Sequence, residues 1–182
     1  AVRQGGAATY GRDLVALLER NVAAAVASGD LVQLRAVRLK LANLWAASEE
    51  TERARTMVDE LLATDGMDRD ALHLLAWLEE RAQRYDEAIA TYRRIMSVER
   101  GDALVDAATR LADVCERAGR LLDAREGLER IRQMAPQNEP ARQRLLRLYE
   151  ETGQFRELAD VSIELARITQ DQEEKFQHLV RA

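Results

Sequence analysis

The chain has 182 residues, with 27 Lys and Arg against 32 Asp and Glu for a formal net charge of -5. At roughly 100 to 200 residues per domain this is one domain's worth of sequence, and the acidic balance lacks the cationic footprint of a nucleic-acid binder, so no nucleic-acid partner is expected. Hydrophobic residues reach 47% but aromatics only 4%, with 2 Pro and 9 Gly among many strong helix formers, a composition that predicts an all-α protein. No run approaches the length of a membrane-spanning helix, and the Val22 to Ala27 stretch is too short, so no membrane insertion is expected. A single cysteine, Cys115, excludes an internal disulfide and a multi-cysteine zinc site. Ala1 opens the chain without an apolar leader, and Arg181-Ala182 falls inside a helical pattern, so the expectation is a segment of a longer protein. Compartment stays open, with the cytoplasm as the default. Arg far outnumbers Lys and Ala is plentiful, which hints at a GC-rich bacterial source.

Taken in chain order, apolar residues step by three and four, the period of helices rather than strands. The spacing predicts helices over 12–28, 31–47, 50–64, 69–82, 85–99, 103–118, 121–134, 139–151, 155–168 and from 172 onward. Asp30, Asp68, Asp102, Asn138 and Asp171 stand where N-caps are wanted, and Gly29, Gly66, Gly101, Gly119 and Gly153 where helices should end. Pro140 lies in the first turn of its helix, where a missing N–H is harmless. Gly127 falls in mid-helix and permits a close contact there.

These helices repeat in pairs. Ala54, Ala88, Ala124 and Leu158 are separated by 34, 36 and 34 residues, and 13 residues before each stands Leu41, Leu75, Leu111 or Leu145. The next positions are Ala42, Ala76, Ala112 and Leu146. Two apolar stripes per period mean that no hairpin can bury its own surface, so each copy must stack on the next.

This pattern resembles the tetratricopeptide repeat, a 34-residue helix-turn-helix. Copy 69–102 carries Leu72, Leu75, Ala76, Tyr85, Ala88 and Tyr92 at signature positions. Copy 105–138 matches through Leu111, Ala112, Gly119, Leu121, Ala124, Leu128, Ile131 and Pro136, and copy 139–172 through Leu145, Tyr149, Gly153, Phe155 and Leu165. Copy 35–68 is weaker, with Leu41, Ala42, Trp45 and Ala54. Residues 12–34 read as an atypical partial repeat, because Leu14 to Val22 is similar to Leu158 to Ala166 and so stands for a second helix; 173–182 begins a further copy. Leu158 and Ser162 depart from the small and aromatic signature positions, and copy 69–102 ends in Arg100-Gly101 without a proline and is followed by a two-residue insertion.

The resemblance implies a single all-α domain over 1–182, an α-α superhelix or solenoid of about ten helices with first helices on a concave face. Groove positions carried over from the family are Lys40, Asn43, Asp70, His73, Trp77, Arg81, Asp106, Thr109, Arg110, Asp113, Gln143, Arg144 and Arg147. Trp77 is then either a partner anchor or an oversized core residue against the preceding hairpin, while Trp45 falls at a core position. Arg110, Arg144 and Arg147 either receive carboxylates of a ligand or are neutralised by Asp106, Asp113 and Glu150. A carboxylate clamp for chaperone tails is not matched, because Lys40 and Asn43 are isolated and Thr109 and Gln143 stand where further basic and amide residues are needed.

No catalytic residue, metal site or cofactor is expected. Cys115 falls at a buried position where a thiol is inert, His73 and His178 lack metal-ligand spacing, and the pairs Glu79-Glu80, Glu150-Glu151 and Glu173-Glu174 read as solvent faces. The functional expectation is a non-catalytic scaffold holding a protein or peptide ligand, as strand or helix, in its groove. The alternatives are a spacer or oligomerisation module with self-association, and a regulatory domain of a larger protein or enzyme.

Overall fold

The computed structural model describes the backbone of residues 4–181 and the side chains of 13–173 and 175–180. Ala182, which the spacing places in the last helix, and the side chains of Arg12 and Glu174 lie outside the described residues. Among the described residues there are ten helices and no strand: α1 (Gln4–Ser28), α2 (Leu31–Ala47), α3 (Thr51–Thr64), α4 (Arg69–Arg81), α5 (Tyr85–Val98), α6 (Gly101–Arg117), α7 (Leu121–Met134), α8 (Glu139–Glu151), α9 (Phe155–Ile168) and α10 (Gln172–Arg181).

Local signals explain most boundaries. Asp30 accepts from the Gln33 N–H, Asp68 from Ala71 and Asn138 from Ala141, each filling one of the donors that a helix start leaves unpaired. The four hairpin turns share one hydrogen bond, in which Glu50, Arg84, Arg120 and Gln154 donate their N–H groups to the carbonyls of Trp45, Glu79, Cys115 and Tyr149. Such a turn needs a left-handed residue at its centre. Gly119 and Gly153 supply it without strain, but Glu49 (φ 63°) and Gln83 (φ 56°) adopt it with a side chain, so no glycine marks those two turns in the sequence.

Two starts differ from expectation. α1 begins at Gln4 rather than near residue 12, because residues 4–11 carry no apolar stripe to reveal a helix. Gly101, at φ 57°, opens α6 instead of closing α5, and Asp102 lies in the first turn while Arg100 occupies the cap position. The inserted residues are thereby taken up as an extra turn of α6, and Leu104 is buried by it.

The chain forms two compact units, 1–84 and 85–182. In the first, Leu18 of α1, Leu41 and Trp45 of α2, Val58 and Leu61 of α3 and Leu75 of α4 share one core. In the second, the buried residues include Ile95, Leu104, Leu111, Leu128, Leu145 and Tyr149. Ala42 and Ala54 in one unit, and Ala112 and Ala124 in the other, are fully buried, where a methyl group lets helix axes approach.

Glu79 corrects the reading of Glu79-Glu80 as a solvent face: it is buried, with an Arg55 guanidinium nitrogen 3.7 Å from its carboxylate. It stands one period from Trp45 and Cys115, so repeat register places it inward, and a charge there requires a counter-ion. Arg142 is likewise buried, donating to Glu164 at 3.2 Å and to the Pro136 carbonyl.

Gly127 marks the closest helix contact. A Cβ added there would lie 2.4 Å from the Ala108 carbonyl oxygen and 3.2 Å from the Ala112 nitrogen. Helix propensity favours Gly127→Ala by about 1 kcal/mol, but overpacking against rigid backbone costs about 1 to 3 kcal/mol or more. The second effect wins, and urea unfolding of Gly127→Ala is expected to show a net loss of about 1 to 2 kcal/mol.

Candidate functional site

In the first unit, α2 and α4 wall a hollow of about 570 Å³ lined by Leu39, Asn43, Ala46, Ala47, Asp70, His73, Leu74 and Trp77. Helical spacing creates the wall, since Leu39, Asn43 and Ala46 on α2 and His73, Leu74 and Trp77 on α4 recur at three- and four-residue steps. The Trp77 side chain is 41% exposed, and the Arg81 guanidinium lies 5.3 Å from its ring centre. Arg81 also donates to Glu49 at 2.6 Å, so its charge is already partnered. Trp77 is therefore not swallowed by the core, in contrast to the buried Trp45.

Asn43 donates its side-chain amide to the Leu39 carbonyl at 2.8 Å, which leaves its amide oxygen as an acceptor beside the hollow. Lys40 is exposed, with no ion pair among the described residues. Asp70, at the other rim, is held by Arg35 at 2.6 Å. Leu39, Ala46, Ala47 and Leu74 complete the apolar floor, and none of them is among the expected groove positions.

In the second unit, a hollow of about 440 Å³ is lined by Glu116, Leu121, Arg144, Arg147, Leu148 and Glu151. Arg144 is neutralised here. Its terminal nitrogen lies 2.9 Å from both Asp113 and Glu116, and its Nε donates to Glu116 at 3.1 Å. This pairing uses Asp113, as one reading expected, together with Glu116, which no sequence signal singled out. Arg147 and Arg110 are exposed and make no ion pair among the described residues. The expected three-arginine cluster thus reduces to two unpaired cations. Thr109 turns its hydroxyl to the Val105 carbonyl at 2.8 Å, and Gln143 bonds Glu139 at 3.0 Å.

Each unit therefore gathers its own share of the expected positions: Asn43, His73 and Trp77 on one hollow, with Arg81 stacked on Trp77, and Arg144 and Arg147 on the other, with Asp113 bound to Arg144. Among the described residues no group of three His, Cys, Asp or Glu side chains converges to hold a metal, and no helix is long and apolar enough to cross a membrane. Cys115 is buried, and burial followed by the nearby Asp123 charge pushes its thiol up to about 11, far from nucleophilic at neutral pH.

Arginine-carboxylate clamps tie successive elements together. Arg35 holds Asp68 at 2.5 Å, Arg93 holds Asp123 at 2.7 Å and Arg132 holds Glu164 at 2.9 Å. Burial alone would raise the Asp68 carboxyl, yet the Arg35 guanidinium and the Ala71 N–H together hold it below the usual carboxylate range. Asp123 is held down chiefly by Arg93, and Glu164 chiefly by Arg132.

No protein-family model matches the chain, and no curated protein matches it. Solved structures do. MamA (AMB-1) is similar with a TM-score of 0.62 at 17% identity, covering 88% of this chain and 84% of that one. YrrB, described as a TPR protein with an unusual peptide-binding site, gives 0.55 at 18% identity over 80% and 74%. A tetratricopeptide repeat protein from Parabacteroides merdae ATCC 43184 gives 0.54 at 13% identity over 92% and 73%. The chain is an all-α, tetratricopeptide-like helical-repeat protein, and at these identities the likeness defines its fold.

The depressed carboxylates set the direction of pH dependence. Their contribution is present above the unfolded-state values near 4 and is lost as pH falls through the lower folded-state values. Urea midpoints are expected to hold between neutral pH and about 5 and to fall below about 4. Asp68→Ala is expected to lose about 1 to 2 kcal/mol at neutral pH and to show a shallower acid decline. A decline as steep as that of the parent would remove Asp68 from this account.

Proposed function

We propose that the chain is a non-catalytic protein-interaction module and that a peptide or amphipathic helix of a partner lies along the α2–α4 hollow with Trp77 as its anchor. The observation that carries this reading is an indole left 41% exposed over an apolar floor, in a molecule whose other tryptophan is buried. Apolar side chains of the ligand would fill the space between Trp77, Leu74 and Leu39, and the Asn43 amide oxygen would accept from a ligand N–H. Large rigid aromatics at the centre of an interface contribute most of the binding free energy per residue. The peptide-binding site named for YrrB supports the class of ligand, although this hollow is argued from its own residues.

The second-unit hollow, with Arg147 unpaired, would accept an acidic side chain of a ligand. That contact would contribute mainly to association rate and salt sensitivity, because the guanidinium is exposed.

Peptides selected by display against the immobilised chain provide the test. Trp77→Ala is expected to weaken the selected peptides at least about tenfold, or about 1.4 kcal/mol. In a Trp45→Phe background, Trp77 emission should shift to the blue on binding. Selected peptides that bind Trp77→Ala as tightly as the parent, with no emission change, would place recognition elsewhere.

A further inference from the structure

The first turn of α2 carries apolar surface that the repeat does not use. Like α6, α2 has 17 residues where α4 and α8 have 13, and in both long helices the added turn buries one leucine, Leu34 or Leu104. Leu31 and Val32 stand ten and nine residues before Leu41, and the residues ten and nine before Leu111 are Gly101 and Asp102. The copy in α6 is thus small and polar where α2 is apolar. Leu31 is 64% exposed and Val32 81%.

These two side chains edge a hollow of about 320 Å³ that has the buried Leu34 and Leu61 as its floor and Thr64, Asp65 and Asp68 on its far side. Its walls come from α2, α3 and the connection to α4, so it lies between consecutive elements of the first unit. A hollow at the low end of the size range of small-molecule sites suits a bulky side chain better than a cofactor.

Charge around the hollow is unbalanced. Arg35 is held by Asp68 and Asp70, at 2.5 and 2.6 Å, and Arg38 by Glu60 at 2.8 Å. Asp65 accepts the Met67 N–H and Asp30 the Gln33 N–H, both at 2.9 Å, and neither carboxylate meets a cation among the described residues. Even with Arg69 counted, these five carboxylates outnumber three guanidinium groups, and residues 21–28 of α1, which lead into Asp30, carry no charge. A cation is attracted to this rim and a carboxylate repelled.

We propose that this hollow is a separate docking site, for a partner segment in which a bulky apolar side chain stands beside Lys or Arg. The apolar group enters between Leu31, Val32 and Leu61, and the cation pairs with Asp65. Covering the exposed Leu31 and Val32 surface drives the contact. The Asp65 pair is open to water, so it selects the sign of the ligand more than it adds affinity. The site shares no lining residue with the α2–α4 hollow, so it stands whether or not Trp77 anchors a ligand.

Three capped dipeptides, N-acetyl-Phe-Arg-amide, N-acetyl-Phe-Glu-amide and N-acetyl-Ala-Arg-amide, titrated into the 182-residue chain and followed through its methyl NMR signals, provide the test. The Phe-Arg probe should shift the Leu31, Val32 and Leu61 methyl signals saturably, and should bind more weakly as salt is added. The other two should bind at least about threefold more weakly, one for its charge and one for its missing ring. Val32→Ser and Asp65→Asn change exposed residues, and the second keeps a side-chain oxygen to accept from Met67; unchanged helical circular dichroism would confirm that both fold. Each should weaken the Phe-Arg probe at least about threefold, Asp65→Asn with loss of the preference over Phe-Glu, whereas Trp77→Ala should leave its affinity unchanged. Absence of saturable shifts at these methyls would overturn the proposal. So would equal binding of Phe-Arg and Phe-Glu, an affinity untouched by both substitutions, or a loss on Trp77→Ala, which would move the probe to the other hollow.

Discussion

Close approach of helix axes is the constraint on which the rest of this structure depends. A hairpin with two apolar stripes has no interior of its own, and it acquires one only where neighbouring backbones come near enough to exclude water. Ala42, Ala54, Ala112 and Ala124 are fully buried for this reason, and at Gly127 the Ala108 carbonyl leaves no room even for a methyl group. Large residues such as Leu41, Leu111 and Leu145 then fill the space between these contacts.

Charge is arranged around that packing rather than in place of it. Arginine predominates among the cations, and its fork reaches carboxylates of the next copy, as Arg35 reaches Asp70 and Arg132 reaches Glu164. Many of these guanidinium groups are partly exposed, so each pair contributes modestly in water. Their larger effect is on register, because a clamp between copies is satisfied at one stacking offset and broken at the next. Many of the described arginines are thereby committed to structure, whereas Arg110, Arg130, Arg147, Arg156 and Arg167 are exposed and make no ion pair among the described residues.

The candidate site was only half legible beforehand. The family resemblance implied that Asn43, His73 and Trp77 share one wall, but whether an indole at that position is swallowed by the preceding hairpin depends on the distance between α2 and α4, which no residue identity encodes. Arg144 shows the same limit: its neutralisation by Asp113 and Glu116 joins α8 to α6 across 28 or more residues of chain. Glu79 went unread because a charged pair in a helix ordinarily marks its wet side. Only the repeat register, and Arg55 within reach, reveal why this one is inside.

Amino-acid order by itself determined the helices, the caps at Asp30, Asp68 and Asn138, the period of 34 to 36 residues and the positions of the small contact residues, since all of these follow from local chemistry and the periodicity of one helix. Tertiary structure alone decided the turns at Glu49 and Gln83, the extra turn of α6, the pairing of each clamped arginine and the exposure of Trp77. These are properties of distances between segments far apart in the chain, and such distances are set by the sum of many packing contacts rather than by any one residue.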